Sequence, residues 1–184
     1  MILIVATMAA GVVVGWVRGG RVRHVGAAAV RGGLLAVGAA LAQALHAAVP
    51  DARVAIATTV LSQTALLAFL WLNRFAAGAL LVALGSALNA VVILANGAMP
   101  VSREALIAVQ RHPYEVFGRH RLLERGDSFA WLADVIALPL LRTVVSVGDV
   151  ILAAGVGLLV VWMMRPPRRR SAPDPVDRLG QTFP

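Results

Sequence analysis

The sequence predicts an all-α, polytopic transmembrane helical bundle of about five spans, and its composition and the spacing of its charges support this prediction. Of its 184 residues, 59% are hydrophobic and 14% are charged, and the mean hydropathy is +0.80. Soluble domains carry about 25% charged residues. Because the charges are separated by long apolar runs, an integral membrane protein is the expected class. The chain contains no cysteine, so disulfides and thiolate ligands are excluded.

Five apolar segments have the composition of membrane helices. The first has no basic residue ahead of it, which favours a retained helix over a cleaved signal peptide. Its glycines Gly11, Gly15 and Gly19 recur every four residues. This spacing lets another helix approach closely, and it makes contact with other membrane proteins a possibility through the same face. The predicted helices span 1–17, about 27–49, about 53–72, about 75–95 and about 147–164.

The fourth helix leads into a turn that divides the chain, here called the signature turn: Asn96, Gly97, Met99 and Pro100. An Asn-Gly pair is typical of a helix end, and the proline prevents an immediate return to helix. The sequence changes character at this point. We expect a four-helix transmembrane part (1–100), an extracytoplasmic or interfacial segment (101–142), a fifth transmembrane helix (143–164) and a disordered, basic, Pro-rich cytoplasmic tail (165–184).

Two capping patterns punctuate the second half. Ser102 is predicted to cap a short amphipathic helix from Arg103 to about Arg111. Ser146 and Asp149 resemble a capping box at the start of the last helix. Between them, residues 128–141 are apolar, too short to span a bilayer and interrupted by Pro139. A re-entrant and an interfacial placement both fit this segment.

The distribution of arginine predicts the orientation. All 17 basic residues are arginines. With residues 18–31, the turn at 73–74 and the tail in the cytoplasm, that side carries ten arginines and two aspartates, whereas the other side carries seven arginines and seven acids. Because short basic segments remain cytoplasmic, the N-terminus is expected outside and the C-terminus inside. The expected location is the bacterial cytoplasmic membrane, with the lipid bilayer as partner.

Several polar residues in the helices are predicted at a similar depth near the outer side. They could line an outward-facing pocket, and the alternative is that they form hydrogen bonds between packed helices. His46 stands out because an ionisable group inside a membrane is costly. The candidates are Gln43, His46, Thr59, Gln63, Asn89 and Asn96.

Asp134 and Asp149 are the acids near the final helix. Two carboxylates that share a proton can run acid–base hydrolysis. The alternative for Asp149 is a helix cap, since an acid in the first turn interacts favourably with the helix dipole. No catalytic residue is assigned on this basis.

Other ligands are not expected. His112, Glu115, His120 and Glu124 lie in an Arg-rich loop, where such residues are usually solvated, so no metal is predicted. No phosphate-binding glycine loop is present, so no cofactor is predicted. The net charge of +8 lies beside apolar segments, which favours membrane topology over nucleic acid.

Four parts of the sequence carry a family resemblance: Arg18-Gly-Gly-Arg21, Asn89 with the run Asn96-Gly-Ala-Met-Pro-Val-Ser102, Leu132-Ala-Asp134-Val-Ile-Ala-Leu-Pro139 and Val145-Ser-Val-Gly-Asp149-Val. With these residues the chain resembles the DUF5317 family of bacterial membrane proteins of unknown function. The likeness covers about residues 1–164, and Ala98 replaces a glycine that many members have. The resemblance implies membrane placement and no reaction.

The last helix is also loosely similar to that of lipoprotein signal peptidase, which opens with an aspartate and pairs it with an upstream one, comparable to Asp149 and Asp134. The Asn-x-x-Asp-Arg motif of that enzyme is missing here. The sequence therefore favours a non-enzymatic membrane binding or accessory component. An intramembrane aspartyl hydrolase is the first alternative, and a small-solute transport subunit is the second.

Overall fold

The five apolar segments form helices in the computed structural model, which describes residues 2–27, 30–48, 52–111 and 120–166. The prediction of a mostly helical chain is confirmed. The first turn after α1 is a 3-10 helix, Val22–Ala27, so the second helix starts later than predicted. The elements are α1 (Ile2–Val17), α2 (Gly33–Ala48), α3 (Ala52–Leu72), α4 (Ala79–Asn96), β1 (Met99–Val101), α5 (Arg103–Ala108), β2 (His120–Leu122), β3 (Ile136–Leu138), β4 (Thr143–Val145) and α6 (Val147–Met163).

The long helices pack side by side in the order α2, α3, α4, α6, α1. Helix α6 lies between α4 and α1, so the first and the last long helix are in direct contact. Gly85 of α4 lies against Gly148 of α6, and Gly78, just before α4, lies against Gly155, so these two helices run antiparallel. A small core of Leu70, Ala76, Ala79 and Val82 closes the contact between α3 and α4.

Glycines set the distance between α1 and α6. A Cβ on Gly11 would lie 2.7 Å from the Gly157 carbonyl oxygen, and one on Gly15 would lie 2.6 Å from Sδ of Met164. The expectation that these two glycines face a neighbouring helix is confirmed within the chain. The expectation for Gly19 is wrong. It has φ of 77° in the turn after α1 and nothing within 4 Å of its Cβ position, because the helix has already ended.

Length and composition together separate α4 from the other helices. Among the described residues, Ala79–Asn96 is the one helix that is long and apolar enough to cross a membrane by length and composition. The remaining apolar stretches are shorter: Ile2–Val17, Gly33–Ala42, Ala57–Leu72 and Val147–Met163. The described residues therefore contain five long helices, whereas five membrane crossings stay a prediction.

Residues 99–111 and 120–145 form a small folded segment at the end of the helices where α4 stops and α6 starts. Strand β1 pairs in parallel with β2, and β3 pairs antiparallel with β4. Residues 128–141 contain two 3-10 turns and β3, so the prediction that the fold is all-α is wrong for this segment. Pro139 begins the second 3-10 turn, where its missing N–H is tolerated.

Both predicted helix caps are confirmed. The Ser102 side chain accepts a hydrogen bond from the Ala105 amide at 3.2 Å. Ser146 and Asp149 form a reciprocal capping box at the start of α6. Helix α5 ends at Ala108, somewhat earlier than predicted. Residues 112–119 and the predicted tail from 167 onward lie outside the described residues.

Candidate functional site

Three polar side chains join α4 to the start of α6, and we call them the α4–α6 polar network: Asn89, Ser146 and Asp149. The amide nitrogen of Asn89 donates to Oδ1 of Asp149 at 2.7 Å. Its amide oxygen accepts from the Ser146 hydroxyl at 2.9 Å. That hydroxyl in turn accepts from the Asp149 backbone amide at 2.9 Å. A single asparagine therefore bonds both members of the capping box.

The network depends on the absence of a side chain at Gly148. A Cβ at this position would overlap Oδ1 of Asn89. Ser146 is fully buried, and a buried hydroxyl or amide without a partner costs about 1–3 kcal/mol. The close approach of α4 to α6 and the hydrogen bonds between them therefore stabilise each other.

Asp134 lies next to this network in a different environment. Its side chain is buried, with 5% of the residue exposed, and Oδ1 has no hydrogen-bond partner in the described part of the chain. Oδ2 lies 3.6 Å from Nε2 of His120, the first residue of β2. Burial raises the pKa of Asp134 to about 7, and the negative charge of Asp149 acts in the same direction.

The two aspartates do not hydrogen-bond to each other. Asp149 uses Oδ1 for Asn89, and Oδ2 accepts from the Ser146 amide at 3.4 Å. Oδ1 of Asp134 has no hydrogen-bond partner within the ranges that the structure describes. The geometry gives Asp149 a capping role, whereas a shared proton would require direct contact between the carboxyl groups.

The signature turn anchors the folded segment to the end of α4. Gly97 terminates the helix in a left-handed conformation with φ of 75°. The Asn96 amide donates to the Ser128 carbonyl and accepts from the Ser128 amide, both at 2.9 Å. Met99 and Pro100 are buried. The turn thus binds the loop that leads to Asp134.

The candidate pocket residues lie at several levels along the helices. Gln63 of α3 donates to the Ser86 hydroxyl of α4 at 2.6 Å. Thr59 is buried, and its backbone carbonyl accepts from Ser62. Asn89 and Asn96 make the contacts described above. The side chains of Gln43 and His46 lie outside the described residues. Gln63 and Asn89 therefore form hydrogen bonds between packed helices.

Two of the four loop residues considered as metal ligands, His120 and Glu124, lie in the described part of the chain. No group of three or more His, Asp or Glu side chains could hold a metal ion within the ranges that the structure describes. His120 lies beside Asp134, and Glu124 is exposed. His112 and Glu115 lie outside the described residues.

Sequence reasoning missed the residues that complete these contacts. Ser146 was expected to cap α6, but its bond to Asn89 on a distant helix has no local signal. The same holds for Ser86, the partner of Gln63, and for the ion pair of Arg121 with Asp127. For the contact between α4 and α6, the sequence gives one indication of a close helix crossing, which is Gly148, two residues after the cap Ser146.

Comparison with known protein families gives a match over most of the chain. The profile described as "Family of unknown function (DUF5317)" matches residues 30–161. The match covers more than half of the chain and includes the signature turn, Asp134 and the α4–α6 polar network. It starts after α1 and after the Arg18–Arg21 run. No curated protein and no solved structure matches the chain. The protein therefore belongs to the DUF5317 family, whose function is unknown.

Proposed function

We propose that this protein is a non-enzymatic integral component of the bacterial cytoplasmic membrane. Its five apolar helices cross the bilayer, with the N-terminus outside and the C-terminus in the cytoplasm. The observation that carries the proposal is the apolar outer surface of the helices. Large apolar side chains are exposed on every long helix: Val5, Val13 and Val17 of α1, Leu34 and Leu41 of α2, Leu61 and Trp71 of α3, Leu80, Leu84 and Leu94 of α4, and Val150 and Leu158 of α6.

Such a surface is unfavourable in water. Soluble monomers rarely expose contiguous apolar patches larger than about 300–600 Å². Among the five long helices, charged side chains occur only near the outer ends, at Arg53 in the first turn of α3 and Asp149 in the first turn of α6. A bilayer solvates the apolar flanks, and water solvates the ends.

The basic segments gather at one end, which supports the orientation. The Arg21 amide donates to the Met164 carbonyl at 2.9 Å, which joins the loop after α1 to the end of α6. The Arg31 amide donates to the Asn73 side chain at 2.9 Å, which joins the loop before α2 to the turn after α3. Short basic segments on one side of a helical bundle favour the cytoplasm. Exposed aromatics at this end, Trp16 and Trp71, suit the membrane interface.

The helix lengths are compatible with a thin hydrocarbon layer. At 1.5 Å per residue, the 16 residues of α1 extend about 24 Å and the 21 residues of α3 about 31 Å. A hydrocarbon core is about 30 Å thick, and short helices are accommodated by local thinning or by flanking residues.

In this arrangement the folded segment of residues 99–111 and 120–145 lies outside the cell membrane. It carries exposed apolar side chains, Trp131 and Leu140, beside the apolar flanks of the helices. We assign it the role of an extracytoplasmic binding platform fixed to α4 and α6. The use of Asp149 as a cap supports this assignment over hydrolysis.

Reporter fusions test the topology. An alkaline phosphatase or fluorescent-protein fusion after Phe183 is expected to report the cytoplasm, and an insertion within residues 112–125 is expected to report the outside. The physical reason is that the arginine-rich end is retained in the cytoplasm. The same compartment reported from both positions would contradict five crossings.

Substitution of Asp149 by asparagine tests the non-enzymatic role. Asparagine keeps an acceptor for the cap and loses the charge, so the free energy of unfolding should fall by about 1 kcal/mol or less. The variant should complement a deletion strain, and thermal unfolding in detergent should report the small loss. Asp134→Asn serves as the partner variant. If both variants fold and both are as inactive as the deletion, the protein is an aspartyl hydrolase.

A further inference from the structure

The strongest unexplained feature of the molecule is the carboxyl group of Asp134. Its backbone is fixed to β1 on either side of Val101, because its amide donates to the Pro100 carbonyl at 3.0 Å and its carbonyl accepts from the Ser102 amide at 2.9 Å. The backbone is therefore held in place, while Oδ1 has no hydrogen-bond partner among the described residues. Buried polar atoms are almost always paired, so the unpaired Oδ1 of Asp134 indicates a place where a ligand binds.

The groups around Asp134 define which ligand fits. From α6, Asp149 contributes a negative charge, and from β2, His120 presents Nε2 to Oδ2 at 3.6 Å. The amino terminus of the chain contributes an opposing positive charge. Strand β1 has no titratable side chain, and Glu104 of α5 is exposed and bonded to Ser102. The carboxyl groups of Asp134 and Asp149 exclude an anionic ligand. A proton neutralises the buried charge of Asp134 and needs no cavity.

The position of Asp134 connects its charge to the docking of the folded segment. Next to it, Leu132 and Met99 pack against Val92 of α4 in a buried cluster. Strand β2 is attached through its ladder with β1 and through the contact of His120 with Asp134. A negative charge on a buried carboxyl group favours any state in which that group reaches water.

We propose that Asp134 is a proton-binding site that couples pH to the docking of residues 99–101 and 120–122 on the outer ends of α4 and α6. With the proton bound, the carboxyl group is neutral and the segment stays docked. When the proton leaves, the buried carboxylate is charged and is more stable in water, so the segment opens more often. The statement that Asp134 responds to the pH outside the cell rests on the proposed topology. The coupling of pH to the docking of the segment does not rest on it.

Hydrogen exchange of the full chain in lipid nanodiscs tests the proposal. After correction for the intrinsic dependence of exchange on pH, the protection of residues 99–103 and 132–136 should fall by up to tenfold per pH unit between about pH 5 and pH 7, and then level off. In Asp134→Asn the protection should not change with pH. Asp127→Asn is the matched control, because it removes another aspartate of the same segment and should retain the wild-type profile.

A second measurement does not depend on how the variants fold. Infrared or carbon NMR spectra of wild-type protein with labelled aspartate should show one carboxyl group that titrates near neutral pH. In Asp134→Asn this signal should disappear, which assigns the titrating group to Asp134. The proposal is overturned if no aspartate titrates near neutrality, or if Asp134→Asn keeps the pH dependence of protection. If the reporter fusions contradict the proposed topology, only the compartment whose pH Asp134 responds to would change.

Discussion

Substitution of Gly85 by alanine is expected to destabilise the protein by about 3 kcal/mol, near the upper end of the effect of overpacking. A Cβ at this position would overlap the Gly148 carbonyl oxygen, and it would also press on the backbone and Cβ of Leu152. Because the obstacles are mainly backbone atoms, they cannot move aside by changing rotamer. Helices α4 and α6 would have to separate, which would also stretch the bond between Asn89 and Asp149.

Thermal unfolding in detergent, followed by circular dichroism, measures this effect. Gly38→Ala is the matched control, since a Cβ on Gly38 of α2 meets nothing within 4 Å. In the control, helix propensity alone should raise stability slightly, by up to about 1 kcal/mol. Equal stability of Gly85→Ala and wild type would show that α4 and α6 do not approach as closely as described.

Substitution of Asp134 by asparagine is expected to stabilise the protein at alkaline pH and to have little effect in acid. Burial raises the pKa of Asp134 to about 7 from its ordinary 3.8. The folded state therefore binds the proton more tightly than the unfolded state. The stability associated with this group is complete below the unfolded pKa and is lost as pH rises to about 7. One pKa unit corresponds to about 1.4 kcal/mol, so the total loss is at most about 4 kcal/mol, which asparagine avoids.

Denaturation at about pH 5 and about pH 8 measures the difference between variant and wild type. Asp127→Asn should instead be destabilised to the same degree at both pH values. The Arg121 guanidinium lowers the pKa of Asp127 from its ordinary 3.8, with help from the Glu124 amide, so that carboxylate stabilises the fold at both pH 5 and pH 8. This contribution is lost only when the pH falls below the ordinary pKa of the group. If Asp134→Asn is destabilised to the same degree at both pH values, Asp134 is ionised and paired in the folded protein.

The sequence alone determined where the long helices lie, although α2 begins later than predicted. Apolar runs bounded by glycine, proline and arginine predict α1 to α4 and α6, because these patterns act within one helix. Local chemistry also predicts the caps at Ser102 and Ser146, since each contact spans three residues. The sequence failed for residues 128–141, where a short apolar stretch does not distinguish a re-entrant helix from the turns and strand that are found.

Only the tertiary structure decided which side chains meet. Asn89 and Asp149 are 60 residues apart and bond because glycines bring α4 against α6. No local rule specifies this contact. The same fold surrounds Asp134 with β1 and the outer ends of the helices, and this burial raises the pKa of its carboxyl group. The sequence shows that residue 134 is an aspartate. The burial of Asp134 and its unpaired oxygen depend on segments that are distant in the chain.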